Sequence, residues 1–143
     1  MFKKSVFIVV TLVSLLAPYA VAQTDSIDPK ELHGNWHLRI MDGMEVRKAR
    51  AILDFDMEKM TLNGFDACNR IAGKLEVNSD TNMTAKLRVT RMACRQSIHS
   101  YVSKRLHETI DEGFNISEGR RNGVEGITLK SLSHELFFGR MGK

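Results

Sequence analysis

The chain has 143 residues, 43% of them hydrophobic and 27% charged. That length allows one domain, and that composition excludes a disordered or fibrous chain. Two Cys exclude a multi-bridge scaffold, and a formal charge of +4, two units of it on Lys3 and Lys4, is too small to argue for nucleic acid.

Residues 1–22 read as a cleaved secretory signal. Lys3 and Lys4 form the positive start, and Val6–Ala17 is an apolar run too short to span a bilayer. Pro18 then ends the run, and Ala20-Val21-Ala22 is a small-x-small cleavage site. No Cys precedes Cys68, so nothing near that site accepts a lipid. The expectation is a soluble, unlipidated periplasmic protein starting at Gln23, with no membrane span after cleavage. Its polar stretch 23–31 reads as a mobile leader, and 32–143 as one domain.

Strand-like runs dominate after the leader. Trp36–Ile40 alternates apolar and polar residues, the period of a half-buried strand, and Asp42-Gly43 marks a turn. Ile52–Asp56, Met60–Asn63, Ile71–Val77 and Leu87–Ala93 read as four more strands, with a polar turn over Asn78–Asn82. The period then changes. Ile98, Tyr101, Val102, Leu106 and Ile110 form one stripe of an amphipathic helix over Ser97–Glu112, and Gly113 stands at its C-cap. Phe114–Ile116, Ile127–Leu129 and Leu136–Phe138 resume the strand pattern, with Glu118–Gly126 a polar turn between the first two.

The links between strands are too short for helical crossovers, so the sheet should be antiparallel. The fold class is α+β, mostly β: a curled antiparallel sheet or small barrel of about eight strands, with one amphipathic helix inserted after the fifth. Trp36, Leu38, Leu53, Phe55, Leu62, Leu75, Leu87 and Val89 should share a core with the helix stripe.

Candidate sites are few. Cys68 and Cys94 lie in two unusual segments, Asn63–Arg70 and Thr90–Cys94. One reading is a reactive thiol, but no base or orienting partner stands beside either. The other is a disulfide, which an oxidising compartment favours and which an antiparallel pairing of the intervening strands permits. His33 and His37, four apart on a strand, and His99 and His107, eight apart on a helix, are each too far apart to share a metal. No metal or cofactor is expected. Arg88, Arg91, Arg95, Lys104 and Arg105 make the start of the helix basic. An anionic partner or lipid headgroup is one reading of this patch, and a solvated face is the other. Asn82-Met83-Thr84 and Asn115-Ile116-Ser117 match the glycosylation sequon, a triplet common by chance.

At the two Cys segments the chain resembles the META-domain family, of the HslJ-like kind. The resemblance is carried by Trp36-His37-Leu38, then by Gly64, Cys68-Asn69-Arg70 and Gly73, then by Thr90-Arg91-Met92 and Cys94 with a helix directly after. It covers residues 32–141. Ala67 departs from it, standing where Gly often precedes the Cys. The resemblance implies a small envelope protein tied to heat shock and antibiotic tolerance, mostly β with one long helix, without catalytic residues or a cofactor. Its partner would be an unknown envelope protein or a small apolar ligand. The leading expectation is thus an exported, non-enzymatic binding protein, and the alternatives are an inhibitor of an envelope-directed hydrolase such as lysozyme and a carrier of a small apolar ligand in a barrel mouth.

Overall fold

The computed structural model describes residues 27–78 and 82–142, so the expected signal segment and the start of the leader lie outside the described residues. The rest of the leader runs into a short helix α1, Pro29–Leu32. Asp28 caps it by accepting from the Lys30 N–H, and Leu32 is buried.

Strand β1 (Gly34–Met41) turns at Asp42-Gly43, with both residues at positive φ, into the two-residue β2 (Met44–Glu45). A single 3-10 turn, Arg47–Ala49, leads to β3 (Ile52–Asp56). Strands β4 (Thr61–Phe65), β5 (Arg70–Val77) and β6 (Asn82–Val89) follow as a meander. Helix α2 occupies Ser97–Glu112, the span its apolar stripe predicts, with Gly113 at the C-cap. Strands β7 (Phe114–Arg121), β8 (Val124–Lys130) and β9 (Glu135–Arg140) complete the chain.

Every pairing is antiparallel and the sheet closes on itself, because β9 pairs with β1 through Trp36↔Arg140, Leu38↔Phe138 and Met41↔Leu136. The ring is β1-β3-β4-β5-β6-β7-β8-β9, with β2 as a side hairpin on β1. Its weakest seam lies between β6 and β7, which pair only at Asn82↔Asn115 and Met83↔Phe114. Helix α2 joins those two strands and packs on β6 and on the 3-10 turn, burying Val102, Leu106, Thr109 and Ile110. Leu38, Leu53, Phe55, Leu62, Phe114 and Phe138 are fully buried in the same core, so side chains fill the barrel interior.

Three expectations need correction. Strand β6 starts at Asn82 and stops at Val89, rather than running from Leu87 to Ala93. Residues from Thr90 onward leave the sheet to meet the turn at Asn69. Val89 consequently sits at the barrel rim and is 42% exposed, while Leu87 only packs against the edge of the core. Glu118–Gly126 is not one long turn: β7 and β8 pair along its length and the reversal is confined to Asn122-Gly123, both at positive φ. This hairpin arm is largely exposed, so it carries little hydrophobic alternation.

Candidate functional site

The two Cys segments meet at one end of the barrel. Cys68 and Cys94 have their sulfurs at disulfide distance and their Cα atoms 4.7 Å apart. Cys68 is buried and Cys94 is exposed. The motif residues around them hold the two segments together. Asp66, fully buried, folds the turn by accepting from the N–H of Cys68 (2.8 Å) and of Asn69 (2.6 Å) through Oδ1. Asn69 then reaches across the chain, where its Oδ1 accepts from the Met92 N–H (2.5 Å) and from the Thr90 hydroxyl (3.2 Å). That hydroxyl in turn accepts from the Arg70 N–H at 3.0 Å, and the Thr90 N–H donates to the Arg70 carbonyl.

Gly64 and Gly73 belong to the same construction. Gly64 has a φ of +153°, and a Cβ at either glycine would run into the carbonyl of the neighbouring strand, at Ile52 or at Lys86. Ala67 takes φ +87°, a conformation usually left to glycine. The side chains of Arg70, Arg91 and Met92 are exposed.

The fold assembles two histidine clusters that spacing along the sequence does not show. His107 on α2 places Nε2 2.6 Å from Asp66 Oδ2, which ties the helix to the Cys68 turn. Burial alone would raise the Asp66 pKa. The His107 hydrogen bond and the two backbone N–H groups outweigh it and hold the carboxyl below its ordinary value. Reciprocally, the hydrogen bond to Asp66 raises the His107 pKa against the opposing effect of burial. His134, just before β9, lies between Asp42 (2.7 Å) and Glu108 (2.6 Å). Burial lowers its pKa, but those two carboxylates reverse the sign and raise it. Nothing local marks either cluster, because the partners are 26 to 92 residues apart.

Beside the Cys pair opens a cleft of about 670 Å³. Lys48 and Arg50 wall it on the 3-10 turn side, Arg95 and His99 at the start of α2, and Phe65 and Met92 supply apolar surface. Of the five basic residues expected around the helix start, only Arg95 lines it. Lys48 and Arg50 come from a segment some 45 residues away in sequence, which only the fold brings here. Among the described residues, no group of His, Cys, Asp and Glu side chains is arranged to hold a metal ion, and no helix is long and apolar enough to cross a membrane.

The family model of the META domain matches residues 30–139. The chain belongs to the META-domain family. Two structures determined by NMR are similar to this META domain. One is 24% identical, covering 80% of this chain and 95% of its own, with a TM-score of 0.64. The other, from Burkholderia xenovorans, is 20% identical, covering 91% and 99%, with a TM-score of 0.61. At those identities the likeness shows a shared fold. No curated protein sequence matches the chain.

Proposed function

We propose that this META domain is a non-enzymatic binding protein of the bacterial cell envelope, exported by its N-terminal signal and acting in stress or antibiotic tolerance. The observation that carries the reading is how the family motif is used. Asp66, Asn69 and Thr90 direct their side-chain oxygens to backbone N–H groups and to each other, and the two Cys are paired. These groups position two chain segments beside a cleft that Cys68 helps to line, which is the work of a binding scaffold. A Cys pair closed in this way also suits an oxidising compartment. The packed interior favours a surface site over an apolar ligand carried inside the barrel. The test is to express the full chain in a Gram-negative cell and fractionate it. The reading expects osmotic-shock material that begins at Gln23 and has no titratable thiol. Full-length chain in the cytoplasm with two free thiols would overturn it.

A further inference from the structure

We infer that the cleft beside Cys68 and Cys94 binds the phosphate group of a larger, partly apolar molecule. The inference deepens the binding-protein reading above and rests on it. Three cations, Lys48, Arg50 and Arg95, line the cleft and no carboxylate does, although the chain as a whole carries 17 acidic against 21 basic residues. Two other surface clefts among the described residues each contain at least one Glu.

Arg47, next to Lys48 in the chain, is paired with Glu45. Among the described residues, Lys48, Arg50 and Arg95 make no ion pair. Arg50 is moreover held at φ +57°, ψ +33°, where a non-glycine residue is uncommon, so the backbone presents this guanidinium in a costly conformation.

The start of α2 adds donors beside the same wall. Its N-cap, Gln96, lines the cleft and makes no side-chain capping bond. The N–H groups of Ser97 and Ile98, which follow Gln96, find no acceptor among the described residues. His99, also in the first turn, lines the cleft as well. Two guanidiniums offer forked donors that match a tetrahedral oxyanion, and three cations suit a dianion better than a carboxylate. The cleft volume greatly exceeds one phosphate, and Phe65 and Met92 offer apolar surface to whatever carries it. That carrier is either a soluble phosphorylated compound or a lipid headgroup.

The experiment uses the purified protein at low ionic strength, in two arms. Inorganic phosphate is titrated while the backbone amide resonances are followed. Separately, flotation is measured with phosphatidylcholine vesicles containing or lacking phosphatidic acid. Saturable shifts at Ser97 and Ile98 are expected. The double variant Lys48→Gln/Arg95→Gln should weaken binding about tenfold or more, as the loss of two charge-assisted contacts requires. Lys74→Gln/Lys86→Gln removes the same charge from the β5–β6 ladder and should leave binding within about twofold, as expected of screened, distant charges. Phosphate binding without flotation identifies a soluble ligand. Flotation that depends on phosphatidic acid and on Lys48 and Arg95 identifies a headgroup. Absence of saturable binding in both arms, or equal weakening by the two double variants, overturns the inference. If another ligand is then retained in the native mass spectrum, only the phosphate assignment falls and the binding-protein reading stands.

Discussion

Truncating His107 to Ala tests how α2 is held to the Cys68 turn. The Asp66 side chain is 1% exposed and that of His107 26%. The substitution removes a charge-assisted hydrogen bond, worth about 1.5–3 kcal/mol. Asp66 keeps its two backbone N–H donors, so the loss stays below the roughly 3–5 kcal/mol of a fully stranded buried charge. A loss of about 2–3 kcal/mol is expected, which for a domain of this size lowers Tm by roughly 10 °C. The pH dependence has a definite sign. The raised pKa of His107 makes its contribution complete below the ordinary imidazole value of 6.5 and removes it as pH rises through the raised value. The lowered pKa of Asp66 makes its contribution complete above 3.8 and removes it as pH falls through the lowered value. Urea unfolding followed by the fluorescence of Trp36, the one tryptophan, reads both effects. The difference between wild type and His107→Ala should be largest at about pH 5–6 and shrink by about pH 9, where a neutral imidazole still donates but no longer carries charge. A difference below about 0.5 kcal/mol, the scatter of ordinary surface substitutions, or one that does not change with pH, would refute the reasoning.

His134→Gln should cost about 1–2 kcal/mol at mildly acidic pH and less as pH rises, because its carboxylate partners raise its pKa; thermal melts across that range check it. Reducing Cys68–Cys94, which are 26 residues apart, should cost about 3.5 kcal/mol by chain-entropy arithmetic, read as a lower urea midpoint in reductant. Leu106→Ala empties a fully buried site on α2 and should cost about 2–5 kcal/mol in the same assay, while Lys104→Ala on the exposed face should change stability by less than about 0.5 kcal/mol.

Local pattern carried the parts of this fold whose residues face water on one side and the core on the other. Helix α2 was legible to its last residue because Ile98, Tyr101, Val102, Leu106 and Ile110 keep one phase and Gly113 ends it. The β7–β8 arm was not, since its outer half projects beyond the core and carries no alternation of apolar and polar residues. Cys68 and Cys94 could be matched because a chain with two Cys offers one pairing. The Asp66–His107 and His134 clusters could not, because their partners are set by the barrel register and by the seat of α2. The cleft was half visible. Arg95 stood in a basic run, whereas Lys48 and Arg50 belong to a segment whose neighbours in sequence gave no hint of where it would lie.

Ring closure sets an order of events for the chain. The first long strand finds its partner on one side only when residues 135–140 exist, since Trp36 pairs with Arg140 across almost the whole domain. The β1–β3–β4–β5–β6 meander can form early from short-range turns, but its first edge stays open until the last strand arrives. Closure of so long a loop places folding among the slow β-barrel cases, on the order of milliseconds to seconds. A chain that ends before β9 would present unpaired edges on both β1 and β8, the surface from which strand-to-strand aggregation starts. The final six-residue strand therefore protects solubility as much as it adds to the core.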